Sequence, residues 1–172
     1  MNPVTQPLRE EHIELWPHVE SLRVAADAVG VDSPAAIRAK AEEAYDFLWR
    51  HLIPHAKAED AALYPVVQRV MGAPRATATM SRDHVEVGTL TGELSAAIAK
   101  IQPGEVPADA ARDLRRTLYG LYALVHLHFA KEEEIYLPIL DAALSPAQAK
   151  AMFEKMETAA AQAKQEHAKG GR

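Results

Sequence analysis

Six residues in this chain have the types and spacing to hold metal ions: His12, His55, Glu59, His84, His128 and Glu132. They fall into two sets that repeat. His12 lies 72 residues before His84, while His55, Glu59 and Pro65 lie 73 residues before His128, Glu132 and Pro138. Each set is a lone histidine followed downstream by His-x-x-x-Glu. On a helix, residues four apart advance by about 400°, so the two side chains stack on one face and can share a cation. Imidazole nitrogen with carboxylate oxygen, and no thiolate, suits iron or manganese, with zinc as a further fit. Two glutamates facing one another from different helices can bridge two cations and offset their charge, the signature of a dinuclear site.

Taken singly, none of these pieces means much. A histidine on an amphipathic helix is ordinarily a surface or satisfied core residue, and i,i+4 charged pairs commonly decorate solvated faces. His18, His51, His126 and His167 stay with that ordinary reading. The duplicated register across four separate segments sets the six apart.

Positioning them requires long helices, and the sequence supplies five. The first runs from about Leu8 to Val29 and stops at Gly30. Ser33-Pro34, an N-cap followed by proline, opens a second that reaches Met71. A third spans about Arg75 to Ile101, and a fourth runs from near Pro107 towards Leu140. Ser145-Pro146 opens a fifth with an apolar stripe of Met152, Phe153, Met156 and Ala160. The predicted fold is all-α: an up-down-up-down four-helix bundle over residues 1–144, plus a C-terminal amphipathic helix and polar tail over 145–172. That last helix is expected to pack back onto the bundle, with dimerisation second; a monomer or weak homodimer follows. Pro17, Pro54, Pro65 and Pro138 are expected to kink or interrupt their helices, or, for Pro65 and Pro138, to end the regular part.

Composition narrows the function. The net charge is -5 with scattered Lys and Arg, which argues against a nucleic-acid partner. The absence of cysteine removes disulfides, thiolate sites and Cys nucleophiles. No apolar run reaches the roughly 18 residues of a membrane span, and no signal-peptide core is present; a cytoplasmic location is expected. Nor is there a Gly-x-Ser-x-Gly elbow, a phosphate-cradling glycine loop or a His-Glu-x-x-His.

The pattern His … His-x-x-x-Glu … His … His-x-x-x-Glu over about Leu8 to Leu140 resembles the hemerythrin, or HHE cation-binding, family, as do Glu59-Asp60-x-x-x-Tyr64-Pro65 and Glu132-Glu133-x-x-x-Leu137-Pro138. The resemblance implies a non-haem di-iron centre bridged by an oxo or hydroxo group and two carboxylates. His12, His55, His84 and His128 become terminal ligands and Glu59 and Glu132 the bridges. Glu133 is a second candidate, because the oxygen carriers place a bridging carboxylate five residues after the histidine. The carriers also supply two histidines four apart on the third helix, whereas His84 is followed by Gly88 and preceded by Met80. His51 is the nearest substitute for that absent imidazole; Tyr45 and Tyr122 lie obliquely to the ligand face. Trp16, Leu48, Leu121 and Val125 are expected to pack the core and limit solvent access. One imidazole short, the centre is expected to react with oxygen species, above all by decomposing hydrogen peroxide. Reversible O2 binding, or sensing of NO, iron or oxygen, is the alternative.

Overall fold

A computed structural model describes residues 3–170, and every regular element in that span is helical. Helix α1 covers Gln6–Ala28. A second rod, residues 34–71, is continuous but alternates in pitch: α2 (Pro34–Phe47), a π-turn π1 (Leu48–Leu52), α3 (Ile53–Ala58), π2 (Glu59–Leu63) and α4 (Tyr64–Met71). Helix α5 is Ala78–Ala99. A fourth rod joins α6 (Ala108–Lys131), π3 (Glu132–Tyr136) and α7 (Leu137–Ala143), and α8 closes the chain at Pro146–Gly170.

Local chemistry explains most boundaries. The Ser33 side chain accepts a hydrogen bond from the Ala36 amide at 3.3 Å, capping α2 ahead of Pro34. Gly30 and Gly72 end their helices with φ of 86° and 62°, a left-handed conformation natural only to glycine.

The prolines correct the sequence expectation. Pro17 sits inside an unbroken α1, and none of the other three ends its rod. Pro54, Pro65 and Pro138 are each the second residue after a π-turn. In all three cases the residue before proline donates its N–H five residues back, Ile53 to Leu48, Tyr64 to Glu59 and Leu137 to Glu132. Widening the turn by one residue moves the preceding carbonyls off the pyrrolidine ring, so the rod accommodates a residue that lacks an N–H.

Packing forms two apolar clusters. One, including Leu22, Leu48, Leu94, Leu118, Leu121 and Val125, fills the space between α1, α2, α5 and α6. The other gathers Leu8, Leu63, Val67, Met80, Leu137 and Leu140 around Met152 and Met156 of α8. Helix α8 thus lies back on α3 and π2, held also by His167, which stacks on Trp49 at 4.1 Å and bonds its carbonyl oxygen at 2.9 Å. The candidate ligands sit where the two clusters meet. Among the described residues no helix is long and apolar enough to cross a membrane.

Candidate metal centre

Each of the four histidines comes from a different rod: His12 from α1, His55 from α3, His84 from α5 and His128 from α6. Glu59 and Glu132 are the first residues of π2 and π3. Both glutamates are 0% exposed, and the four imidazoles are 3–8% exposed. Two buried carboxylates beside four buried rings, inside an apolar core, require a compensating charge.

The donor atoms form two groups joined through Glu59. His12, His55, Glu59 and Glu132 make one, and Glu59, His84 and His128 the other. Glu59 Oε1 lies 3.0 Å from His55 Nε2 and 4.0 Å from His12 Nε2. Its other oxygen lies 3.2 Å from His84 Nε2 and 3.8 Å from His128 Nε2. Glu132 spans the same divide, with Oε2 3.4 Å from His12 Nε2 and Oε1 3.6 Å from His128 Nε2. Despite these distances, His12 Nε2, His55 Nε2, both Glu59 oxygens and Glu132 Oε2 are buried without a hydrogen-bond partner. Within each group the donor atoms nevertheless lie within 4.8 Å of one another. Orphaned buried donors of this kind are costly unless a cation satisfies them, so the residues fit a pair of metal ions.

The opposite ring nitrogens are all held by carboxylates. His12 Nδ1 meets Glu133 at 2.7 Å, His55 Nδ1 meets Glu11 at 3.0 Å, His84 Nδ1 meets Asp60 at 2.8 Å and His128 Nδ1 meets Asp83 at 3.1 Å. In a neutral imidazole, a carboxylate there fixes the proton on Nδ1 and leaves Nε2 as the lone pair facing the centre. Arg9 anchors Glu133, and Lys131 anchors Asp83. The pattern exchanges the two halves of the chain. The residue before the lone histidine (Glu11, Asp83) supports its own half's second histidine, and the residue after the shared glutamate (Asp60, Glu133) supports the lone histidine of the other half.

Electrostatics follow from the crowding. Burial pulls the His12 and His128 imidazoles down, but Glu132 and Glu59 outweigh it and raise them to about 9 and about 10. Burial and then the neighbouring carboxylates act likewise on His55 and His84, with a net rise. Burial alone would raise Glu59, yet His55, His12 and His128 hold it well below the ordinary carboxylate range.

Other candidates lie elsewhere. Glu133 stands on the outer side of His12, apart from both donor groups. His51, in π1, and Gly88, in α5, are exposed, and a Cβ built on Gly88 meets nothing within 4 Å. Tyr45 stacks on Trp49 and Tyr122 donates to Glu20 at 3.0 Å. Exposed His18 and His126 rest on Phe47 and Trp16. Leu48, Leu121 and Val125 are core residues and Trp16 packs against them.

Tyr64 is the residue that sequence reasoning missed. Its hydroxyl donates to Glu132 Oε1 at 2.8 Å and lies 3.1 Å from His128 Nε2 and 3.4 Å from His84 Nε2. In an α-helix, residues five apart diverge by about 140°; the i→i+5 turn π2 instead stacks Tyr64 over Glu59. Burial, then Glu59 and Glu132, raise the phenol's pKa and hold its proton on.

Two spaces adjoin the centre. A cavity of about 10 Å³ lies between Leu52, Val87, Val125 and Phe129 and the rings of His55, His84 and His128, room for about one water. A cleft of about 400 Å³ between α8 and α1 reaches His55 and Glu11 past Phe153, Met156 and Lys164.

Neither a curated protein nor a solved structure matches the chain at a significant level. Residues 4–140, however, match the family described as hemerythrin HHE cation binding domain. With that match over most of its length and a buried His/Glu cluster at its centre, the chain belongs to the hemerythrin HHE cation-binding family.

Proposed function

We propose that the chain holds two iron ions, ligated by His12, His55, His84 and His128 and bridged by Glu59 and Glu132, and that this centre decomposes hydrogen peroxide. The observation that carries the dinuclear reading is Glu59, a fully buried carboxylate whose two unpartnered oxygens face two different donor groups. One ligand-bearing segment from each of four rods is consistent with an up-down-up-down bundle.

When bound, two iron ions supply a two-electron exchange with a small oxygen species. The net reaction takes two peroxides to two waters and one dioxygen. One peroxide gains two electrons and two protons as its O–O bond breaks; the other gives up two electrons and two protons. No further reductant is needed. The protein's share is positional. Glu11, Asp60, Asp83 and Glu133 aim the imidazoles. Leu52, Val87, Val125 and Phe129 keep bulk water from the rings and leave space only for a very small substrate. The cleft beneath α8 leads to His55, with Glu11 and Lys164 along it.

The test is iron-loaded protein mixed with hydrogen peroxide in an oxygen electrode. Dioxygen release over many turnovers supports the proposal. A stable, reversible dioxygen adduct without turnover points instead to oxygen carriage. Stoichiometric metal other than iron in protein from its native source overturns both.

A further inference from the structure

We infer that the cleft between α1 and α8 is the path by which cations enter and leave the buried centre, with the Glu11–His55 pair at its inner end. The inference rests on the metal-binding reading above and adds the route by which the site is filled.

Three observations carry it. First, size and lining separate the two spaces beside the centre. The cavity against Leu52, Val87, Val125 and Phe129 has about 10 Å³, and its apolar walls give a cation nothing in exchange for its hydration. The cleft has about 400 Å³, room for an ion with its water shell, and carries the carboxylates of Glu11 and Glu157. Second, the clamp at its inner end is the least tethered of the four. Arg9 holds Glu133, Lys131 holds Asp83, and the Ser81 hydroxyl donates to Asp60 at 2.6 Å. Glu11 bonds only His55 among the described residues, and its side chain is 48% exposed against 18–38% for the other three. The His55 ring is therefore free to swing outwards with Glu11 while the other three stay pinned. Third, the sequence of α8 leaves the opening. Ala160 and Ala161 stand on the cleft wall between Met156 and Lys164, where longer side chains would fill it. The helix is fastened on both sides of this gap, by buried Met152 and Met156 before it and by the His167–Trp49 stack after it.

The path is one-sided. Asp83, the counterpart of Glu11 72 residues on, is 18% exposed and pinned by Lys131. Helix α8 itself lies outside residues 4–140, the part that matches the family. Glu59, with one oxygen towards each donor group, links the arrival point at His55 to the second position. Path and site are separable by kinetics. An obstruction in the path slows entry and exit by the same factor and leaves affinity, their ratio, unchanged, whereas damage to the site changes the ratio. Charge acts as well: Lys164 on the cleft wall repels an arriving cation, so reversing its sign should speed uptake, an effect that salt screens.

The test uses the absence of cysteine from the chain. Ala161→Cys, at an exposed position on the cleft wall, is labelled with a bulky aromatic reagent that forms a disulfide. Anaerobic uptake of ferrous iron, and its release to a strong chelator, are timed before labelling, after it, and after reductive removal of the label. The same label on Val31→Cys, 81% exposed just beyond the end of α1, is the control. The label at position 161 should slow uptake and release alike by at least about tenfold. Final iron content and helical circular dichroism should not change, reduction should restore both rates, and the label at position 31 should alter neither. Lys164→Glu should take up iron about threefold faster or more at low ionic strength, with the gain lost at high salt. Rates unaffected by the label at 161, slowed equally by the label at 31, or slowed in one direction only, would overturn the inference, as would no gain in Lys164→Glu. Label-dependent uptake that saturates at one equivalent would keep the route and overturn the dinuclear reading. Failure of the native chain to bind iron would overturn both.

Discussion

Replacing Glu59 by glutamine should abolish metal binding at both proposed cation positions. The substitution keeps side-chain volume, removes the charge and turns one of the two facing oxygens into an amide nitrogen, at a position with 0% exposure. Each Glu59 oxygen faces a different donor group, at 3.0 Å from His55 Nε2 on one side and 3.2 Å from His84 Nε2 on the other. Removing one member of a buried charge pair costs about 3–5 kcal/mol. At about 1.4 kcal/mol per tenfold, that is a loss of roughly 10² to 10³-fold or more in affinity, and it falls on both positions because the carboxylate is shared. The assay is iron content after anaerobic ferrous loading and desalting, with thermal unfolding of the metal-free forms as a folding control. Glu59→Gln should retain well under one equivalent while unfolding cooperatively. Two equivalents bound with near-native affinity would refute the bridging role, and with it the claim that the orphaned oxygens mark cation positions.

Other consequences are open to measurement. Glu11→Gln and Asp83→Asn, which release His55 and His128 without touching the donor atoms, should weaken iron binding by about 10–100-fold each and leave its stoichiometry at two; titration against a competing chelator reads this. The metal-free protein should lose stability with rising pH. Its His12 and His128 imidazoles are raised to about 9 and about 10, against an unfolded value near 6.5. Because the folded values are the higher, their stabilisation is complete below about pH 6.5 and drains away as pH climbs through 9 to 10. Melting temperatures between pH 6.5 and 10 should therefore fall for metal-free protein and change less once iron replaces the protons; a rise in the metal-free series would contradict the argument. Met152→Ala, at a 3% exposed position on the buried face of α8, should cost about 2–5 kcal/mol in denaturant unfolding. His167→Ala, which loosens α8 from Trp49, should leave iron content unchanged.

Much of this molecule could be read before its shape was known. The helical segments announce themselves through Ser33-Pro34, Gly72 and Pro146, because caps and breakers act within a few residues. The six central side chains were legible through their repeated register. What escaped depends on contacts between distant segments or on a local hydrogen-bond choice. Glu11, Asp60, Asp83 and Glu133 were visible as neighbours of the central residues. That each supports a histidine on a different rod is a matter of how the rods pack. Tyr64 was hidden for another reason: α-helical periodicity points it away from Glu59, and only the widened turn ahead of Pro65 brings it back. Pro65, directly after Tyr64, was the available clue, and its expected effect was to kink, interrupt or end the regular helix.

The reciprocal support of the histidines has a consequence for symmetry. Every clamp has its counterpart after exchange of the two halves, as in an isologous interface, where residue i meets j and j meets i. A half-molecule holding one lone histidine and one His-x-x-x-Glu carries all the parts needed to build the cage with a second copy of itself. In such a self-assembled pair, positions 64 and 137 would have to be identical. Joined in one chain they need not be, and here one is tyrosine and the other leucine. Covalent linkage thus frees two otherwise equivalent positions to differ.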